Sequence, residues 1–232
     1  MSFDLNVLRH FKSHLKRIEK KTIAPFRRVG LNNLNFSIIS NNCWGGCIYD
    51  KYGLPYLSPT IGLFFMPDDF LKFIKNLPYY LSLEINQVSF GSSYFKNKYQ
   101  MIQDPNGRSF YRDHGSTVLI GRLDDVEVIF LHYSSFQDAK EKWNRRRGRV
   151  NFNNIVYKFN DQNGCTIQNF RDFQSFSAPN KLFFTSNPAF SGDNVIFCPK
   201  FIEEGYVVDD TAIKLPFNEK RFLNDVLKNR IF

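Results

Sequence analysis

Short, dense apolar runs separated by helix-length stretches leave this chain few ways to fold. Ile61-Gly62-Leu63-Phe64-Phe65, Val128-Ile129-Phe130-Leu131 and Leu182-Phe183-Phe184 lack polar alternation, so they suit strands buried on both faces. Strands are expected at 35–40, 60–65, 117–120, 126–133, 155–160, 181–185 and 194–197. Between them the spacing predicts helices. One runs over 3–20, with Leu8, Phe11, Leu15 and Ile18 as its apolar stripe. Another opens at Pro67, where proline suits the first helical position and Asp68 and Asp69 suit the positive end of the dipole. A third spans 136–150 behind Ser135 as N-cap, with Phe136, Ala139, Trp143 and Val150 facing the core. Two more cover 166–176 and the stretch from 218 onward. Residues 90–115 carry Gly, Ser, Asn, Asp and Pro without a period and read as a long loop.

Strands alternating with helices require crossover connections. The expectation is an α/β fold: a single three-layer domain with a mostly parallel or mixed sheet flanked by helices. Neither an internal repeat nor a Pro/Ser-rich linker divides the chain. Residues 1–34 read as a basic amphipathic helix and linker, and 35–232 as the α/β domain.

The charge balance, 31 Lys+Arg against 22 Asp+Glu, points to phosphate-bearing partners, whether nucleic acid, an anionic membrane or a diphosphate. The excess gathers at the N-terminal end and again at Lys142, Arg145, Arg146, Arg147 and Arg149. No apolar stretch approaches the roughly 20 residues that span a bilayer, and the charged N-terminus does not read as a secretion signal. The expected location is cytoplasmic, with the four cysteines reduced.

Ligands of open α/β sheets bind beyond the carboxyl ends of strands, which directs attention to the turn Ser40-Asn41-Asn42-Cys43-Trp44-Gly45-Gly46. Its Asn amides offer donors and acceptors, and Gly45 and Gly46 would let a ligand approach the backbone. A helix starting there would present free N–H groups to an anion and lower the thiol pKa of Cys43. His132 follows a strand and suits acid/base work on a group bound at that turn. A Cys43–His132 pair needs a carboxylate from elsewhere, and Asp68 is one option. Asp124 and Asp125 sit at the opposite end of the strand that His132 follows. They form either a polar turn or a metal site beside a diphosphate, and no metal site is assigned. Arg145 and Arg149 share a helix face, whereas Arg146 flanks the Trp143 stripe and can point inward, so Arg145 and Arg146 are the candidate phosphate contacts.

Several blocks carry a resemblance: Ser-Asn-Asn-Cys-Trp-Gly-Gly at 40–46, Gly-Leu-Pro-Tyr-Leu-Ser-Pro-Thr at 53–60 and Pro-Asp-Asp-Phe at 67–70. Gly-Arg-Leu-Asp-Asp at 121–125, Leu-His-Tyr-Ser-Ser at 131–135 and Trp-Asn-Arg-Arg at 143–146 follow. Asp161, Gly164-Cys165, Asn180-Lys181 and Phe184-Thr185 complete the set. Over 35–200 the chain resembles the domain-of-unknown-function family nineteen-nineteen, described as exopolysaccharide- or capsule-biosynthesis proteins of bacteria. It departs from that pattern at Val118-Leu119-Ile120, where relatives tend to carry a Tyr-Pro pair, and across 90–116. The resemblance carries no catalytic assignment.

The setting it implies is cytoplasmic assembly of a surface polysaccharide, with peripheral contact at the inner face of an anionic membrane. The expected activity is transfer of a glycosyl or acyl group from an activated donor to a sugar-phosphate-linked or glycan substrate. The partners would be a sugar nucleotide, a lipid-linked sugar or a glycan, and no specific nucleic acid. The alternative is a non-catalytic glycan-binding or assembly module. The expected ligand contacts are Ser40, Asn41, Asn42, Trp44, Gly45, Gly46, Ser58, Thr60, Arg145 and Arg146.

Overall fold

A computed structural model describes residues 22–32, 34–94, 96, 118–211 and 217–225. The helix expected over 3–20 and most of the loop expected over 90–115 lie outside the described residues.

In chain order the elements are β1 (Ser37–Ser40), α1 (Trp44–Tyr52), β2 (Leu63–Phe64), α2 (Pro67–Lys75), α3 (Leu77–Ser82), β3 (Asn86–Val88) and β4 (Leu119–Leu123). There follow β5 (Val126–Phe130), α4 (Phe136–Arg147), β6 (Ile155–Asn160), α5 (Ile167–Ser175), β7 (Lys181–Thr185), β8 (Val195–Phe197) and α6 (Glu219–Asp225). The helix starts have local causes. Pro67 occupies the first turn of α2 with Asp68 and Asp69. Ser135 accepts the Asp138 amide ahead of α4. Thr166 and Asn169 close a reciprocal capping box on α5.

The α/β class holds, but the strands divide into two sheets. One is parallel, in the order β1-β6-β7-β8, and the other antiparallel, in the order β2-β5-β4-β3. All four antiparallel strands come from the chain between β1 and β6, so the second sheet is an insertion within one crossover. Its strands are short, which is how α3 and β3 escape notice in a sequence read for long periods.

Side chains alternate across the parallel sheet. Ile39, Ile155, Phe159 and Phe183 join a core with Phe70 and Phe73 of α2, Trp143 of α4, and Val126, Val128 and Phe130 of β5. One continuous core therefore joins both sheets. Ile38, Val156, Leu182 and Phe184 face the other way, against Trp44, Ile48 and Tyr52 of α1 and Leu223 of α6.

As an edge strand, β1 has outer backbone groups that need partners. Tyr49 of α1 takes the Ile38 amide at 2.9 Å and donates to the Phe36 carbonyl at 3.1 Å. Thr60 Oγ1 accepts the Ser40 amide at 3.1 Å and Ser37 donates to the Leu57 carbonyl at 2.6 Å.

Gly53 ends α1 in the left-handed region, at φ 59°. A Cβ there would lie 2.7 Å from Ala24 Cβ in the helical segment 22–28. Gly53→Ala therefore combines backbone strain with a clash, and should lower stability by about 2 kcal/mol. Urea unfolding checks this, with the Asn variant, which tolerates that backbone better, as the comparison.

Candidate functional site

Parallel pairing sets Ser40 opposite Lys158, so the turn after β1 and the end of β6 lie side by side at the carboxyl edge of the sheet. Asn41 Nδ2 donates to Asn160 Oδ1 at 2.7 Å. Lys158 points to the α1 side, is fully buried, and donates through Nζ to Asn42 Oδ1 at 2.9 Å and Asn41 Oδ1 at 3.4 Å. Its counter-ion is Asp210, itself buried, which Nζ meets directly. Asn160 Nδ2 adds a bond to Asp210 Oδ2 at 2.8 Å, and Asn42 Nδ2 reaches both Asp210 oxygens at 3.1 Å. Burial pushes the Lys158 ammonium below the ordinary lysine range, and the Asp210 carboxylate pulls it back up.

The glycines and hydroxyls of this region have packing duties. A Cβ on Gly45 would meet Ile38 Cγ2 at 3.0 Å, and one on Gly46 would meet Ile61 Cγ2 at 3.2 Å. They let α1 settle onto β1 and the loop before β2, so the space beside them holds protein rather than a ligand. Ser58 and Thr60 are fully buried and bond to one another at 2.9 Å while bracing the edge of β1. Trp44 is buried edge-on against Phe184, and its amide donates to Asn42 Oδ1 at 3.2 Å. Ser40 Oγ donates to Asn42 Oδ1 at 3.2 Å. Of the turn, Asn41 and Asn42 carry the polar network and Cys43 faces outward most.

Cys43 occupies the N-cap position of α1, yet burial pushes its thiol up to about 11. The Cys47, Asp210 and Asp209 side chains add to that shift and Lys158 opposes it. The lowering expected from the helix N-terminus is thus reversed, and the resting form near neutral pH is the thiol. Its Sγ lies 3.9 Å from the Leu63 carbonyl. His132 is exposed and flanks the same segment, its amide donating to the Gly62 carbonyl at 3.2 Å. Tyr133, next to His132, and Ile61, next to Gly62, are also joined, because the Tyr133 hydroxyl donates to the Ile61 carbonyl.

Arg146 points inward, only 7% exposed, while Arg145 is exposed. Arg146 donates to Tyr133 Oη at 2.8 Å and its guanidinium lies 4.8 Å from the Tyr56 ring centroid. Tyr56 Oη in turn donates to Asp50 Oδ1 of α1 at 2.6 Å. Among the described residues no carboxylate lies within ion-pair distance of Arg146. Cys43 meets the Leu63 carbonyl, His132 the Gly62 carbonyl and Tyr133 the Ile61 carbonyl, and Arg146 donates to Tyr133, so these four residues group around 61–63.

Asp68 is exposed and accepts from Asn169 of α5 at 2.6 Å. Asp124 and Asp125 form the β4–β5 turn, with Asp124 at φ 55°. Tyr79 donates to Asp124 at 2.8 Å, and Tyr80 and Lys72 donate to Asp125 at 2.8 Å each. The pair pins that hairpin to α2 and α3. Among the described residues no group of three or more His, Cys, Asp or Glu side chains is placed to hold a metal ion, and no helix is long and apolar enough to cross a membrane.

Lys158, Asn160, Asp210, Tyr133 and Tyr56 escape a sequence reading. One signal was present: a lysine inside Ile-Val-Tyr-Lys-Phe-Asn, where a doubly buried strand leaves a cation no water and so demands a counter-charge.

The chain is 26% identical over 205 residues to a Haemophilus influenzae protein named only "Uncharacterized protein", the match covering 88% of each. Residues 14–230 match the family described as Domain of unknown function (DUF1919), and the chain therefore belongs to that family.

Proposed function

We propose that this protein is a transferase of bacterial exopolysaccharide or capsule assembly, seating the phosphate of a sugar-phosphate-linked substrate against Arg146, with His132 as the acid/base group. One observation carries the reading. The Arg146 guanidinium is buried against a phenol and a ring face with no compensating anion among the described residues, and a desolvated cation is costly until one arrives. Forked donors are matched to phosphate. The exposed imidazole of His132 stands across residues 61–63 from Cys43, open to solvent and therefore to an acceptor. The group transferred is glycosyl or acyl, and the basic surface suits work at the cytoplasmic face of an anionic membrane. The polysaccharide setting is supported by the sequence resemblance alone.

Calorimetric titration with nucleotide sugars tests the phosphate contact. Arg146→Met should weaken binding by about 10- to 100-fold, with no fall in melting temperature, and Arg146→Lys should recover part of the loss. His132→Ala should lower turnover by about 10²- to 10⁴-fold while leaving unfolding unchanged, because the side chain is exposed. Binding that ignores Arg146→Met sinks the phosphate assignment. Turnover indifferent to His132→Ala removes His132 as the acid/base group, and binding without turnover leaves the assembly-module reading in its place.

A further inference from the structure

Ligands of open α/β sheets sit just beyond the strands' carboxyl ends, and in this fold that place, between β1 and β6, is filled by a side chain of the chain itself. Asp210 belongs to the segment 206–211, which has no helix or strand. Its carboxylate collects the Lys158 ammonium, Asn160 Nδ2 at 2.8 Å, and Asn42 Nδ2 at 3.1 Å to each oxygen. One cation and two amide donors converging on two oxygens is the donor set of an oxyanion receptor. Lys158 and Asn160 are fully buried and Asn42 is 8% exposed, so the receptor is built into the sheet.

Among the described residues, the segment that supplies Asp210 is anchored by the Val207 side chain, buried in the core that includes α1, and by hydrogen bonds to the neighbouring edge of the sheet. The Val207 amide donates to Asp161 Oδ1 at 2.7 Å, and Gln162 Nε2 donates to the Val208 carbonyl at 2.7 Å. Asp209 is engaged within the segment, accepting from Thr211 N and Oγ1 at 2.7 and 2.6 Å. Beneath it, Asp161 also holds the Ser186 amide at 2.9 Å, and the buried Ser186 hydroxyl has no partner among the described residues. The edge under the segment thus keeps polar capacity that the segment does not use.

We propose that Asp210 is a resident occupant of an oxyanion seat made by Lys158, Asn42 and Asn160, and that 206–211 is a strap that lifts when a phosphate or carboxylate group takes its place. The seat discriminates by charge and by its two-oxygen geometry. Its apparent affinity is reduced by the fraction of time the strap is closed. The inference is separate from the Arg146 reading and uses none of its residues.

The test uses the full chain with inorganic phosphate or acetate as probe, against chloride at equal ionic strength. Asp210→Asn keeps the shape of the occupant and removes its charge, so it should bind phosphate or acetate about tenfold more tightly than the parent. Adding Lys158→Met should abolish that gain, whereas adding Arg146→Met should leave it intact. Asp210→Ala should be less stable than the parent, and acetate or phosphate should restore its melting temperature where chloride does not. In the parent, amide exchange across 206–211 should quicken as the probe saturates. Whichever of phosphate and acetate gives the larger gain identifies the ligand's anionic group. Equal affinity of Asp210→Asn and the parent, exchange at 206–211 that does not quicken at saturation, or loss of the gain with Arg146→Met would each overturn the proposal.

Discussion

Lys158→Met is expected to cost about 3–5 kcal/mol of folding stability, a large part of the roughly 5–15 kcal/mol that holds a domain together. The substitution keeps the apolar stem, which runs beside Phe184, the ammonium lying 5.4 Å from that ring's centroid. What is lost is charge and donors. Asp210 would remain buried as an unpaired carboxylate, and the side-chain oxygens of Asn41 and Asn42 would each lose a donor. Lys158→Met with Asp210→Asn leaves no buried charge and should recover most of the loss, because a buried pair owes much of its apparent worth to the cost of breaking it one side at a time. Urea unfolding of both variants decides the matter. A double variant as unstable as the single one would show that hydrogen bonding to the two Asn side chains, and not charge, dominates the site.

The sequence patterns that proved readable are those whose cause is local. Pro67 with two following carboxylates marks α2, Ser135 marks α4, and the stripe through Ala139 and Trp143 allows the inward turn that Arg146 takes. Pairing between distant segments is different, since nothing in the run 60–65 says that it will join 126–130 in a sheet of its own. The same limit hid the site's centre. Lys158 announces that it needs an anion, but the one it finds lies 52 residues on, in a segment without periodicity. Gly45 and Gly46 illustrate the opposite error. Glycine permits close approach of either a ligand or another element, and only the position of Ile38 and Ile61 shows that here it is the fold that approaches. Asp124-Asp125 is ambiguous in the same way until Tyr79, Tyr80 and Lys72 are seen to hold it.

A second large effect is expected from pH, through Asp69. This residue in the first turn of α2 is 3% exposed and accepts the Glu127 amide of β5 at 2.6 Å. Burial pushes its carboxyl up to about 7. The Glu127 amide and Lys72 pull downward, and the Glu127 and Asp125 carboxylates push further up. An unfolded aspartate titrates near 3.9, so the folded chain holds this proton over about three pH units in which the unfolded chain has released it. Below about pH 4 both states are protonated and the contribution to stability is fully present. Between about 4 and 7 each unit removes about 1.4 kcal/mol, and above 7 a loss of about 4 kcal/mol is complete. Asp69→Asn retains an oxygen for the Glu127 amide and cannot ionise. Its stability relative to the parent should therefore rise by about 4 kcal/mol between pH 4 and pH 7.5 in urea titrations. Carboxylates held low by cations, such as Asp125 beside Lys72, oppose the trend in both proteins and cancel in the difference. A difference that stays flat would mean that Asp69 is ionised throughout, its burial cost already met by the Glu127 amide and Lys72. In either case the titration reports on one joint, because Asp69 is where the first turn of α2 is fastened to the antiparallel sheet.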